Sequence, residues 1–223
     1  MTAFKTIKGV PVKTISGDRA GASFEGQLYY DSDGVGIFKF VGALAAGTWA
    51  SGGALNTARG GLGSAGIQTA GLAFGGGDPD RAQTEEYNGS TWSEQNDLNT
   101  ARRTLAGFGL QTAALATGGT PSGAATELYD GTSWTEVNDL NSARRYLAGS
   151  GIQTSGLATG GNSTPTALNE SWDGTSWTEV GDLNTGRTSL ANCGTSNTSA
   201  IAVGGANNEL WNGTSWTEVN DLN

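Results

Sequence analysis

The chain has 223 residues, a net charge of −9, no histidine and one cysteine. An acidic chain lacks the clustered cations that nucleic acids and anionic lipid surfaces attract, so we expect neither as a partner. With no histidine and a single cysteine, none of the common zinc or copper sites and no Ser-His-Asp triad can be built. We therefore expect no metal, no cofactor and no catalytic residues.

The first 25 residues carry no repeat. Residues 4–17 alternate weakly between polar and apolar positions, which is consistent with an extended arm or edge strand, and a solvated tail is the alternative. Residues 1–12 lack the continuous apolar core of a signal peptide, and no run is long enough to span a membrane. All four lysines lie in the first 40 residues, at Lys5, Lys8, Lys13 and Lys39.

Residues 25–42 are predicted to form a β-hairpin. Two runs rich in aromatic and β-branched residues flank Asp33-Gly34, a dipeptide that tolerates the positive φ of a tight turn. If Tyr30 takes the place that Tyr87 takes later in the chain, residues 27–53 form the outer half of a blade.

A repeat occupies the rest of the chain. Its tryptophans are spaced by 43, 42, 43 and 39 residues, a period typical of a four-stranded propeller blade. Each period has an apolar run, a polar turn, a second run ending in a glycine pair, a loop of changing length, and a hairpin around Asp-Gly or Asn-Gly. These tryptophans are Trp49, Trp92, Trp134, Trp177 and Trp216.

The pattern within each period resembles the kelch repeat. A glycine pair at Gly118-Gly119 is followed by Tyr129, Trp134, Leu140 and Arg144, and matching sets recur within residues 75–102, 160–187 and 204–222. The resemblance implies an all-β, kelch-like propeller of four blades over residues 54–223, after an anchoring arm and hairpin over residues 1–53. A fifth, partial blade from residues 27–53 is the alternative. An isolated row of blades is disfavoured because it leaves edges exposed.

The repeated residues are interpreted first as structural. We expect one tryptophan per blade to pack between blades rather than to stack on a sugar, and Cys193 to be a small buried residue. The linker aspartates are expected to bind turn backbone, and the linker arginines to pair with a carboxylate between blades; a channel site for an anion or sugar is the alternative. The structural set is Trp92, Trp134, Trp177, Trp216, Arg102, Arg144 and Arg187.

Candidate ligand-binding residues lie where the repeats differ. The loops after the glycine pairs vary in sequence and should leave each blade on the same face as the linker to the next blade, and loops on a rigid scaffold often carry function. Two carboxylates at Asp78 and Asp80 are a weak calcium signal, for which a solvated loop is the default interpretation. The candidates are Arg103, Arg145, Asp78, Asp80 and Asn162.

Residues 15–75 resemble the N-terminal segments of phage tail-fibre and appendage proteins, through EGQLYY and GTWASGG. The resemblance implies a structural or adhesive subunit of a virion that reaches the particle without a signal peptide. It would form a homo-oligomer, contact other virion proteins, and present a face to a cell-surface glycan. An intracellular kelch-type protein-binding module is the first alternative, and a carboxylate-based glycosidase is the second.

Overall fold

The computed structural model describes residues 51–162, 164–205 and 207–220 in full, and five short strands before them as backbone. The first unit, Met1–Ser51, pairs β1 with β2, β3 with β4 in parallel, and β4 with β5 in antiparallel. The β4–β5 pair confirms the predicted hairpin, whereas its turn and Trp49 lie outside the described residues. The strands are β1 (Thr6–Ile7), β2 (Val10–Pro11), β3 (Lys13–Ile15), β4 (Gln27–Asp31) and β5 (Phe38–Val41).

The second unit, Gly52–Asn223, contains four antiparallel sheets of four strands, which form a four-bladed β-propeller as predicted. Strands follow one another from the inner to the outer edge of each blade. Blade 1 is β6 (Gly63–Ile67), β7 (Ala70–Phe74), β8 (Thr84–Tyr87) and β9 (Trp92–Gln95); blade 2 is β10 (Ala106–Leu110), β11 (Ala113–Thr117), β12 (Thr126–Tyr129) and β13 (Trp134–Val137). Blade 3 is β14 (Ala148–Ile152), β15 (Ser155–Thr159), β16 (Asn169–Trp172) and β17 (Trp177–Val180); blade 4 is β18 (Ala191–Ser196), β19 (Ser199–Gly204), β20 (Asn207–Trp211) and β21 (Trp216–Val219).

The outer hairpin of each blade closes as the Asp-Gly and Asn-Gly signals predict. Gly131 has a φ of 91°, which a residue with a side chain rarely adopts. The Asp130 carboxylate accepts hydrogen bonds from the N–H groups of Thr132 and Ser133, both at 2.8 Å. The bonds from Ser133 and Thr132 hold the pKa of Asp130 below its usual value.

The hydrophobic core lies between neighbouring blades. Each blade has a forward face toward the next blade and a receiving face toward the previous one. In blade 2 the forward face carries Phe108 and Leu115, and in blade 3 the receiving face carries Trp172 and Trp177; all four are buried in one cluster. The repeated tryptophans Trp134, Trp177 and Trp216 occupy the same place in three such clusters. Burying a side chain of this size contributes several kcal/mol.

The inner strands pack side by side in the order β6, β10, β14, β18. Among the described strands, β18 and β6 do not make a comparable contact, so these inner strands do not themselves complete the closed ring that the sequence favoured. The expected burial of Cys193 is wrong for this reason: its counterpart Phe108 is covered by blade 3, whereas Cys193 is exposed. Within the described residues, no helix has the length and apolar character to cross a membrane.

Candidate binding face

Linkers between blades and loops between the second and third strands meet on one face of the propeller, here called the loop face. Gly76 N–H donates to the Arg102 carbonyl at 2.9 Å, and Gly119 N–H donates to the Arg144 carbonyl at 2.8 Å. Gly161 and Arg187 repeat the contact. The prediction that variable loops and linkers share a face is therefore confirmed.

Beneath the loop face, each linker arginine enters the next blade and pairs with a buried glutamate. Arg102 Nη2 lies 3.0 Å from Glu127 Oε1, and both side chains are almost completely buried. Arg102 also donates to the backbone carbonyls of Gly118 and Ala125. The same pairing recurs as Arg59–Glu85, Arg144–Glu170 and Arg187–Glu209. Arg102, Arg144 and Arg187 therefore fasten one blade to the next, and Arg59 fastens the segment before blade 1 to that blade. None of these buried arginines forms part of an open binding site.

In these buried ion pairs, burial and pairing shift the pKa values of the two partners in opposite directions. Burial lowers the pKa of the Arg102 guanidinium, and attraction to Glu127 opposes the shift. Burial also favours a higher pKa for Glu85, but hydrogen bonds from Arg59 and from Asn56 N–H outweigh it, so the pKa of Glu85 lies below its usual value. A carboxylate that accepts several hydrogen bonds stays ionised even when buried.

An asparagine in each linker donates further hydrogen bonds to the same glutamate. Asn99 donates from its backbone N–H and from Nδ2 to Glu127 Oε2, at 2.7 and 3.0 Å, and from Nδ2 to the Trp134 carbonyl at 2.9 Å. Asn141 and Asn184 repeat these contacts.

The linkers also contain the aspartates and glutamates of each repeat. The aspartates accept hydrogen bonds from backbone as expected, but from the start of a strand and not from a turn: Asp97, Asp139 and Asp182 accept from the N–H groups that open the third strands. Asp221 lies outside the described residues. The glutamates were missed, although an acid recurs seven residues before four of the five repeat tryptophans. These glutamates are Glu85, Glu127, Glu170 and Glu209.

On the loop face itself, three sequence candidates come together. Arg103 Nη1 lies 2.8 Å from Asp78 Oδ1 and 3.4 Å from Asp80 Oδ1. The Asp80 oxygen is close enough for ion pairing, but it is not aligned for a hydrogen bond. Arg103 also pairs through its backbone with Thr120 of blade 2, so it joins the loops of two blades. Because both carboxylates face one guanidinium, the cluster is an ion-pair network and not a calcium site.

The other two candidates lie together one blade further on. Asn162 N–H donates to the Arg145 carbonyl at 2.5 Å, and the Arg145 guanidinium carbon lies 5.6 Å from the centre of the Tyr146 ring. Tyr146 is exposed, although no sequence argument selected it. The result is a surface patch of cation, amide and aromatic ring at the position where blade 2 has Arg103 and Thr120.

A backbone arc lies beside both clusters, at the start of the inner strands. Thr104 N–H donates to the Gly61 carbonyl at 2.6 Å, Tyr146 N–H to Thr104 at 2.9 Å, and Ser189 N–H to Tyr146 at 2.9 Å. All four residues have φ between 54° and 65°. Glycine at the first of these positions was the one sequence signal for this left-handed backbone.

The loop face offers guanidinium, carboxylate, amide, hydroxyl and aromatic groups. Such groups bind polyhydroxylated or peptide ligands through hydrogen bonds and stacking. Among the residues described, no group of three or more potential ligand side chains could hold a metal ion. Neither a scan of protein-family models nor a search of curated proteins finds a match to the chain.

Proposed function

We propose that this chain is a kelch-repeat, non-enzymatic structural or adhesion subunit of a phage-like virion. Its loop face would bind a host-surface glycan or a neighbouring protein, and its copies would associate with one another and with other virion proteins. The propeller is the scaffold of this proposal, and the loop face is the surface through which it acts.

One observation supports the proposal: the buried contacts between blades repeat, whereas the side chains on the loop face differ from blade to blade. The Arg–Glu–Asn junctions have the same geometry from blade to blade. At equivalent surface positions, by contrast, Arg103 meets two aspartates, whereas Arg145 lies beside Tyr146 and Asn162. A repeated frame that varies at one face is the arrangement of a recognition surface on a rigid support.

A glycan suits the second of these clusters. The exposed Tyr146 ring provides a flat apolar surface for a sugar ring, while Arg145 and Asn162 provide donors and an acceptor for hydroxyl groups. Binding of this kind needs no reacting group, which fits a chain without histidine. The sequence resemblance of residues 15–75 to appendage proteins supports the virion context.

The test is binding of the full chain to an array of bacterial capsular and O-antigen polysaccharides. We expect retention on a subset of them and at least tenfold weaker retention for Arg145→Ala and for Tyr146→Asn, since asparagine keeps the left-handed backbone. Glu136→Ala, on the outer strand of blade 2, is the matched control and should bind normally. Retention on no polysaccharide, or equal loss in all three variants, would contradict a glycan site on the loop face.

A further inference from the structure

The forward face of blade 4 lacks the cover that the other blades have. On blades 2 and 3, Leu115 and Leu157 are completely buried against the next blade. Their counterpart on blade 4, Ile201, is half-buried, Cys193 is exposed, and Leu210 is 46% exposed. Blade 4 therefore presents an apolar sheet face that resembles an interior surface.

Among the described residues, the receiving face of blade 1 is covered only in part. Its aromatic pair, Tyr87 and Trp92, is half-buried, whereas the equivalent pair Tyr129 and Trp134 is buried beneath blade 1. The Trp92 indole N–H donates to the nearby Gly53 carbonyl at 3.0 Å. The equivalent indole N–H of Trp134 donates instead to Thr84 of the preceding blade.

Polar contacts of the internal junctions show what each open face would meet. Gln111 Nε2 donates backward to the carbonyls of Gly71 and Tyr87 in the preceding blade, at 3.0 and 2.8 Å. Gln153 makes the same pair of contacts one blade later. In blade 1 the equivalent Gln68 is exposed. The repeat register assigns its acceptors to the Ala200 and Trp211 carbonyls of blade 4.

We propose that the forward face of blade 4 docks on the receiving face of blade 1 in a second copy of this chain. Ile201 and Cys193 would then be covered as Leu115 and Phe108 are, and Gln68 would reach Ala200 and Trp211. The interface reuses a geometry that the chain already forms three times.

In a pair of copies that contact each other twice, each forward face of blade 4 covers the receiving face of blade 1 in the other copy. They complete a ring of about eight blades, within the usual range for propellers, through two identical head-to-tail contacts. The inference stands on the blade faces alone and is independent of the virion role and of the loop face.

A single cysteine substitution tests the contact in the full chain. In the internal junction, a Cβ built on Gly149 would lie 2.6 Å from Phe108 Cδ1 and 3.2 Å from Ala106 Cβ. Ser64 and Cys193 hold the equivalent positions, so in the proposed interface Cys193 and a cysteine from Ser64→Cys are within disulfide reach. Mild oxidation of this variant should give a covalent dimer whose peptide mass spectrum shows a 64–193 linkage.

Two controls make the cross-link specific. Adding Cys193→Ala should abolish the linkage, and Thr132→Cys, on a hairpin turn of blade 2, should give no comparable dimer with Cys193. A 64–193 disulfide within one chain would mean that four blades close on themselves, and it would overturn the proposal. The absence of this linkage from the oxidised protein would overturn it equally.

The native mass in solution is a second, independent test of the proposed dimer. We expect the wild-type full chain at twice its mass of 22.7 kDa. Ile201→Asp should shift it to monomer by placing a charge in the interface. Leu110→Asp changes a residue that is exposed within the row of blades, and it should remain dimeric. A wild-type monomer, or a dimer that Ile201→Asp leaves intact, would contradict head-to-tail docking; near-ultraviolet circular dichroism checks that the variants are folded.

Discussion

Arg102 and Arg103 are adjacent in sequence and lie in opposite environments. Arg102 is buried in the junction of blades 1 and 2, where it lies 3.0 Å from the buried Glu127. Arg103 lies on the loop face, 2.8 Å from Asp78, with 34% of its own side chain and 88% of the Asp78 side chain exposed. The two ion pairs are almost equal in length, so distance alone does not distinguish a structural contact from a surface one.

Exposure to solvent determines how much stability is lost when one partner of each ion pair is removed. In the junction, a missing partner would leave a charge away from water, which is far more costly than the pair itself is favourable. At the surface, water and salt replace a lost partner at little cost. The junction arginines are therefore constrained by folding, whereas a change at the surface residue Arg103 should cost the fold little.

Breaking the buried pair should have the largest effect. We expect Arg102→Met to lower the free energy of unfolding by about 3–5 kcal/mol, because Glu127 would remain charged and unpaired in the junction. Urea unfolding followed by tryptophan fluorescence measures the change.

The double variant Arg102→Met/Glu127→Gln separates the lost charge balance from lost packing. It should recover part of the stability, because the remaining amide can still accept the hydrogen bonds of Asn99. A loss below about 1 kcal/mol for Arg102→Met would show that the pair behaves like a surface salt bridge.

The sequence predicted the elements that the repeat itself encodes. The tryptophan period and the glycine-containing turns were enough for four blades, because each depends on local backbone geometry and on one packing contact per repeat. Closure could not be predicted this way. Whether β18 meets β6 depends on small rotations that add up over three junctions, and the sequence of a repeat does not show that sum.

The candidate site was predictable only in outline. The shared side of loops and linkers follows from strand order, but the approach of Asp78 and Asp80 to Arg103 depends on how an irregular loop folds back. Tyr146 was missed because its exposure arises from a left-handed backbone that only Gly61, in another repeat, signals. Local patterns do not specify irregular loops in the way that they specify strands.

Acid should weaken the buried Arg59–Glu85 ion pair. In the folded protein, the hydrogen bonds from Arg59 and Asn56 hold the pKa of the Glu85 carboxyl below its usual value. Its contribution to stability is therefore present above the unfolded pKa and is lost as the pH falls from about 4.5 through the folded pKa. Urea midpoints should fall over this range in the wild type, and by less in Glu85→Gln, which has no charge to lose there.

The variant Glu86→Gln is the matched control for that comparison, since it removes a neighbouring carboxylate that does not pair with Arg59. Its pH dependence should follow the wild type more closely than that of Glu85→Gln does. Equal slopes for wild type and Glu85→Gln would show that Glu85 has the same pKa in the folded and unfolded chain.

The smallest effect is expected at Arg103. Arg103→Ala removes the ion pairs with Asp78 and Asp80 but leaves the backbone contact with Thr120, so we expect the free energy of unfolding to change by less than about 1 kcal/mol. The difference from wild type should shrink further in about 1 M salt, which screens exposed charges and leaves the buried Arg102 pair much less affected. A loss as large as that of Arg102→Met, or one that salt does not reduce, would mean that the loop face is part of the folding core and is not free to vary for binding.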